Sequence, residues 1–116
     1  MELFDTTQLG LERAITGAEM RQSVLAANVA NANTPGYRPK DVDFHSALRA
    51  AFATGSDVET APISPTESTT AMRADGNGID IDVEASKLAQ NGLEYQALVQ
   101  AAKGRIQIIE SAMGTR

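Results

Sequence analysis

The last third of the chain carries a repeat that strongly favours one long helix. From residue 81 to residue 113, small or apolar residues recur at alternating spacings of four and three positions, the pattern of a helix packed along one stripe against a partner helix. The stripe consists of Ile81, Ala85, Leu88, Gly92, Tyr95, Val99, Ala102, Ile106, Ile109 and Met113. We predict a helix over residues 82–113, about 48 Å long at about 1.5 Å per residue, with Asp82 as its N-cap and Glu84 in its first turn. Glycine lowers helix stability by up to ~1 kcal/mol relative to alanine, so Gly92 on this stripe predicts a close approach by another helix.

The first part of the chain predicts a second helix, over residues 7–33, with the same spacing. Its stripe consists of Leu11, Ile15, Ala18, Gln22, Leu25, Val29 and Ala32, with the glutamine as its polar interruption. Thr34 precedes a proline and is biased away from helical backbone, which places the end of the helix at about Asn33. The following Thr-Pro-Gly-Tyr predicts a type II turn, because proline presets φ and glycine accepts a positive φ.

The middle of the chain changes character. Residues 41–44 alternate polar and apolar side chains and predict a short extended piece, and residues 45–53 predict a short helix. Residues 54–70 have the composition of a loop or flexible linker, and residues 75–78 are a turn sequence. The predicted fold is therefore mainly α, with N- and C-terminal helices forming a coiled-coil-like core and a short irregular middle segment. Its parts are an N-terminal helical arm over 1–34, a small outer segment over 35–80, and a C-terminal helix over 81–116 that packs with the arm.

Alanine dominates the apolar residues, which limits how the helices can be stabilised. It accounts for 19 of the residues that make up the 42% apolar fraction, and the chain has five aromatic residues in all. Burying a large side chain contributes roughly 1.5–3 kcal/mol and burying alanine much less, so a compact monomeric core is poorly supplied. Alanine-rich helices suit close packing, including packing between subunits. An ordinary two-helix hairpin would show the same periodicity and remains an alternative.

Several classes of function find no support in the residues. The net charge is −5 without a basic cluster, which argues against nucleic-acid binding. Absence of cysteine excludes disulfides and thiolate metal sites. No apolar run approaches the ~20 residues that span a bilayer, and the acidic start MELFDTTQLG is unlike a secretory signal.

No catalytic, cofactor or metal site is predicted. His45 is the sole histidine, and we interpret it as a surface residue because no nucleophile can be assigned to it by spacing. An EF-hand loop beginning at Asp75 fails, because Asp80 stands where glycine is required and Ser86 where the bidentate glutamate is required. Cap and turn chemistry accounts for the acidic residues, and the neighbouring glycines form no phosphate-binding motif. We therefore expect no enzyme activity and no small-molecule substrate.

The helix end contains three asparagines, residues that compete for backbone hydrogen bonds and are mediocre helix formers. The stretch LAANVANANTPGYRPKDVDF closely resembles the N-terminal signature of bacterial flagellar rod, hook and axial proteins. The matching positions are Asn28, Asn31, Asn33, Thr34, Pro35, Gly36 and Tyr37. The continuation DVDF looks like the proximal rod subtype, and residues 75–100 are similar to that subtype's second signature. Val29 and Gly78 are small departures, and residues 45–74 are unmatched.

This resemblance implies a structural role: a proximal rod subunit of the flagellar basal body that carries torque from the membrane ring toward hook and filament. It implies that both terminal helices join a tubular core, that the asparagines bond neighbouring subunits, and that the Pro-Gly turn leads the chain outward. Implied partners are copies of itself, other rod proteins, the ring-to-rod adaptor and the flagellar type III export apparatus. The implied location is the periplasmic rod, reached without a cleavable signal. The alternative function is a soluble helical-hairpin adaptor or scaffold.

Overall fold

A computed structural model describes residues 5–68 and 79–114. Its elements are α1 (Thr6–Ala30), β1 (Lys40–Asp41), α2 (Phe44–Thr54), a 3₁₀ turn (Val58–Thr60), β2 (Thr66–Glu67) and α3 (Ile81–Gly114). The prediction of a mainly α fold with long terminal helices is confirmed. The predicted turn at 75–78 and the last two residues of the predicted loop lie outside the described residues. No described helix combines the length and the apolarity that crossing a membrane requires.

Helix α1 begins at a capped turn and ends earlier than predicted. The Asp5 carboxylate accepts the Gln8 backbone N–H at 3.0 Å, which satisfies one of the free donors of the first turn. The prediction of an end at Asn33 is wrong by three residues, since the last helical residue is Ala30. There the side-chain amide of Asn31 donates to the carbonyl of Ala27 at 2.8 Å, the local competition that makes asparagine a poor residue for a helix interior.

The Pro-Gly turn that follows has the predicted form. The backbone N–H of Tyr37 donates to the carbonyl of Thr34 at 3.2 Å, and Gly36 has a φ of 78°. A positive φ at the third residue of the turn is the requirement of type II geometry, so this local prediction is confirmed.

Helix α3 runs for 34 residues, about 51 Å at about 1.5 Å per residue. Its cap differs from the prediction. The Asp80 carboxylate accepts the backbone N–H groups of Asp82 at 3.1 Å and Val83 at 3.3 Å, so Asp80 and not Asp82 caps the helix. The reason is the start of the helix at Ile81, which puts Asp82 inside the first turn.

Helices α1 and α3 lie side by side and antiparallel. Gln8 near the start of α1 contacts Arg105 near the end of α3, whereas Asn28 near the end of α1 contacts Glu84 near the start of α3. The molecule is elongated as a result, with extents of 63 × 29 × 17 Å.

The middle segment packs back on α1. The buried apolar cluster consists of Ala14, Ala18, Val42, Phe44, Leu48, Ala51, Val58 and Ala61. Two glycines of α1 make room for aromatic rings of α2: a Cβ at Gly17 would lie 2.6 Å from Phe44 Cβ, and a Cβ at Gly10 would lie 2.7 Å from Phe52 Cζ. A Cβ at Gly17 would overlap the base of the buried Phe44 side chain, so this glycine is required for the packing of α2 on α1. A Cβ at Gly10 would meet only the tip of the exposed Phe52 ring, which would have to shift.

The short helix and the extended piece are only partly as predicted. Helix α2 extends one residue beyond the predicted range at each end. The predicted extended piece, residues 41–44, is strand at Asp41 only, and Phe44 already belongs to α2. The predicted loop contains a 3₁₀ turn and strand β2, which pairs antiparallel with β1. Its composition gave no sign of this pairing, because the two strands are distant in the sequence.

Candidate functional site

Among the residues that the structure describes, four polar side chains are fully buried, and all lie at the contact between α1 and α3 or beside it. Gln8, Asn28, Glu84 and Asn91 each have 0% of their surface exposed. Buried polar groups are costly unless they are hydrogen-bonded, so their partners fix which residues of the two helices can face each other. We call these four residues the polar seam.

Asn28 uses both ends of its amide within the chain. Its Nδ2 donates to the carbonyl of Lys40 at 2.7 Å and to Glu84 Oε1 at 2.5 Å. Its Oδ1 accepts the backbone N–H of Lys40 at 3.0 Å. One side chain of α1 thereby joins the start of β1 to the first turn of α3.

The Glu84 carboxylate is held between an amide and an ammonium group. Its Oε2 lies 3.2 Å from Lys87 Nζ, an ion pair whose geometry does not make an aligned hydrogen bond. Lys87 Nζ also lies 3.7 Å from Asp41, and Arg21 Nε donates to Asp41 at 2.7 Å. The two carboxylates and two cations therefore form one connected group across α1, β1 and α3.

The charge state of Asp41 depends on this group. Burial raises the pKa of Asp41, but the hydrogen bond from Arg21, the N–H of Val42 and the nearby charges of Arg21 and Lys87 outweigh it and leave the pKa below its usual value. The hydrogen bond to Asp41 in turn raises the pKa of Arg21. Both groups are charged at neutral pH, which favours the paired form.

The centre of the helix contact carries Asn91. Its Nδ2 donates to the carbonyl of Ala18 at 2.9 Å and to Gln22 Oε1 at 2.8 Å. Gln22, the polar interruption in the stripe of the first helix, is thereby explained as an acceptor for an amide of α3. Asn91 Oδ1 is buried and has no hydrogen-bond partner within the described chain.

At the far end, Arg105 ties α3 to the first turn of α1. Its Nε donates to Gln8 Oε1 at 3.0 Å, and its Nη2 donates to Asp5 Oδ1 at 3.0 Å. The pKa of Asp5 lies below its usual value, because its carboxylate accepts the backbone N–H of Gln8 and lies beside the Arg105 guanidinium. Polar contacts thus occur at both ends and at the centre of the helix pair.

The asparagines of the turn motif have different environments. Asn28 is hydrogen-bonded within its own chain, and the bonds to neighbouring subunits that the resemblance implies stay a prediction. Asn31 Oδ1 accepts the Thr34 hydroxyl at 3.1 Å, which links the helix end to the turn. Asn33 is exposed, as are Pro35 and Gly36, and Tyr37 is half-buried.

The predicted stripes are buried to different degrees within the single chain. Leu25 and Ala102 are buried, whereas Leu11, Ile15, Val29, Leu88, Tyr95, Val99 and Ile109 are half-buried. Ile81, Ile106 and Met113 remain exposed. A Cβ placed on Gly92 would meet no atom within 4 Å, so the close approach predicted there is not made by α1.

Sequence reasoning missed most of the polar seam. Glu84 was interpreted as a helix-dipole residue, and Asn91, Gln8 and Arg105 were not singled out. The sequence contained a signal for this group, because Glu84, Asn91 and Arg105 are separated from one another by multiples of seven residues and so lie on one side of α3.

His45 lies on the surface, as predicted, and has a partner. Its ring stacks on Phe44 with centroids 4.2 Å apart, and its Nε2 lies 2.5 Å from Glu94 Oε2 on α3. Among residues 5–68 and 79–114, no group of three or more acidic or histidine side chains could hold a metal ion.

An elongated pair of antiparallel helices, with buried polar contacts that fix its register, has the architecture of a helical building block. Comparison with known proteins places it more narrowly. Residues 11–38 match the family model described as flagella basal body rod protein. The chain is 33% identical to the flagellar basal body rod protein FlgB of Bacillus subtilis, over 97% of both chains. It is 34% identical to FlgB of Escherichia coli, over 82% of this chain and 83% of that one. The chain therefore belongs to the family of flagellar basal body rod proteins.

Proposed function

We propose that this chain is a structural subunit of the proximal part of the flagellar rod, where it carries torque from the membrane ring toward the hook and filament. The observation that carries this proposal is the alignment with the Bacillus subtilis protein, which covers 97% of each chain. A relative named as a rod protein thus matches both helices and the segment between them. A soluble hairpin adaptor, the alternative that helical periodicity left open, is not favoured.

The polar seam supports a load-bearing role. If α3 moved along α1 by one helical turn, about 5.4 Å, Glu84 would leave Asn28 and Arg105 would leave Gln8. Each broken contact would leave a buried polar or charged group without its partner, which costs about 1–3 kcal/mol per group and more for charges. A helix pair that resists sliding in this way is suited to transmit force along its length.

The partners and the route are part of the same proposal. We assign as partners further copies of the chain, the adjacent rod proteins and the ring-to-rod adaptor. The chain reaches the periplasmic rod through the flagellar type III export apparatus, without a cleavable signal. Asn33 and the exposed Pro35-Gly36 turn are available for contacts with these neighbours.

The direct test is complementation of a strain that lacks the gene for this chain. We expect that expression of the full chain restores motility and that immunoblots detect it in purified basal bodies. A chain that restores motility but is absent from basal bodies, or that remains in the cytosol, would contradict the proposal.

A variant separates export from assembly. Ile106 belongs to the predicted stripe and has 39% of its surface exposed in the single chain, and we propose that a neighbour in the rod covers it. We expect Ile106→Asp to be exported normally, because an unfolded chain tolerates the charge, but to be missing from basal bodies, because burying an unpaired charge costs several kcal/mol. The exposed position Ala53 on α2 provides the control, Ala53→Asp, which should assemble. Wild-type amounts of Ile106→Asp in basal bodies would show that this part of the stripe is not packed.

A further inference from the structure

The buried amide at the centre of the polar seam belongs to an Asn-Gly dipeptide, Asn91-Gly92, inside α3. Asparagine is one of the chemically labile residues of proteins. A glycine after it leaves the backbone nitrogen beside its side chain unhindered, because glycine has no Cβ. Asn91 is fully buried, whereas a Cβ on Gly92 would meet no atom within 4 Å. Packing among the described residues therefore does not explain why a glycine follows Asn91.

The reaction open to such a dipeptide is deamidation, for which water is the only other reactant. The backbone nitrogen of Gly92 gives up its proton and bonds to Asn91 Cγ. The bond from Cγ to Nδ2 breaks, and the departing nitrogen takes up a proton and leaves as ammonia. Water then opens the resulting succinimide ring at one of its two carbonyl groups, which produces aspartate or isoaspartate at position 91. No atom is oxidised or reduced in these steps.

The folded chain opposes ring closure at each of the atoms involved. In a helix the N–H of Gly92 is directed at the carbonyl four residues earlier, and closing the ring takes ψ of Asn91 away from its helical value of about −42°. The attack places negative charge on Asn91 Oδ1, which is buried without a hydrogen-bond donor among the described residues. The leaving atom, Nδ2, donates to the carbonyl of Ala18 at 2.9 Å and to Gln22 Oε1 at 2.8 Å, where no water can protonate it.

We propose that Asn91-Gly92 is a self-modification site that the pairing of α1 with α3 keeps unreactive, so that only chains with unpaired helices deamidate there. The product also prevents later pairing. Aspartate puts a carboxylate oxygen in the place of Nδ2, where it faces two acceptors, the Ala18 carbonyl and Gln22 Oε1. Isoaspartate adds a carbon atom to the main chain and interrupts the helix. Chains that stay unfolded for long are thereby removed from those that can form the helix pair.

Peptide mapping by mass spectrometry measures deamidation at residue 91 of the full chain during incubation at neutral pH. We expect the reaction to be at least about tenfold slower in buffer than in guanidinium chloride, which corresponds to a local opening free energy of about 1.4 kcal/mol or more. Asn77-Gly78, the same dipeptide elsewhere in the sequence, provides the reference rate in denaturant. Equal rates at residue 91 in buffer and in denaturant would overturn the proposal.

Gly92→Ala is the matched variant, because its added methyl group meets no atom within 4 Å in the folded chain. The methyl group hinders the attacking nitrogen, so residue 91 of this variant should deamidate far more slowly than Asn77 of the same chain in denaturant. Equal rates at the two positions would show that the glycine does not make Asn91 reactive.

A refolding experiment tests the consequence for pairing. Wild-type chain is incubated in denaturant until part of it is modified at residue 91, returned to buffer, and separated by size exclusion. We expect the folded fraction to contain unmodified Asn91 and the unfolded or aggregated fraction to contain the modified residue. Asn91→Asp should lower the ratio of folded to unfolded chain at least about tenfold in urea unfolding, whereas Asn33→Asp, at an exposed asparagine, should change it by about twofold at most. Equal shares of modified chain in both fractions, or equal stability of the two variants, would overturn the proposal.

Discussion

Replacing Asn28 by aspartate changes one amide nitrogen to oxygen and tests the polar seam without leaving a cavity. The wild-type Nδ2 donates to the carbonyl of Lys40 and to Glu84 Oε1. In Asn28→Asp, the carbonyl of Lys40 and the carboxylate of Glu84 both face the new carboxylate of residue 28 instead of an N–H donor. Glu84 has no exposed surface, so water cannot readily separate the two carboxylates.

The expected loss of stability can be estimated from the rise in pKa of one of the two carboxyl groups that the variant brings together. Like charges in contact at a buried site raise one of the two pKa values by about 3 units, and each unit corresponds to about 1.4 kcal/mol. The variant should therefore be about 4 kcal/mol less stable than wild type at pH 7, a large part of the 5–15 kcal/mol typical of a domain. Since the carboxyl pKa is raised in the folded state, the deficit relative to wild type should shrink as the pH falls toward the ordinary carboxyl value of about 4.

Urea unfolding of the isolated chain, followed by circular dichroism, measures this effect. With a slope of about 2 kcal/mol per molar urea, the midpoint should fall by about 2 M at pH 7. Asn33→Asp is the matched control, because Asn33 is an exposed asparagine of the same motif. Its effect should stay within about 0.5 kcal/mol. Equal midpoints for the two variants, or a deficit that does not change between pH 7 and pH 5, would refute this account of the seam.

Four further substitutions test other parts of the fold. Gly17→Ala places a methyl group 2.6 Å from Phe44, and we expect the free energy of unfolding in urea to fall by about 1–3 kcal/mol. In Gly92→Ala the added methyl meets no atom within 4 Å, and the free energy of unfolding should rise by up to ~1 kcal/mol. The reverse order of stability would contradict the packing. The pKa of Asp41 lies below its usual value, so its contribution is present above the ordinary carboxyl pKa and is lost as the pH falls through the lowered one. Asp41→Asn should therefore lower the free energy of unfolding at pH 7, and this free energy should fall less steeply below about pH 4 than it does in wild type. An unchanged steepness at acidic pH would argue against the pairing of Asp41. Gly36→Val forces a β-branched residue to a φ of 78°, and soft-agar assays should show reduced motility; normal swimming would show that the turn is dispensable.

The helices could be predicted from the sequence because their stripes repeat locally, whereas the polar seam depends on contacts between distant residues. A periodic pattern does not show which polar residues lie between two helices, and only the antiparallel pairing of α1 and α3 buries Glu84 and Asn91. Strand β2 and its pairing with β1 were missed for the same reason, since β2 is two residues long, lies in a loop sequence and has a partner that is distant along the chain. Local chemistry was more reliable: the Pro-Gly turn and the short helix were both predicted within a residue.

The amide of Asn28 has a further consequence for the small sheet. Strand β1 pairs with β2 along one side, and its other side presents the N–H and C=O of Lys40. The Asn28 side chain binds both groups as the peptide group of a third strand would. Exposed strand edges are templates on which other chains can add in extended form. A side chain borne by a helix thus closes the edge of this ribbon at Lys40, where a passing copy of the chain could otherwise begin to aggregate.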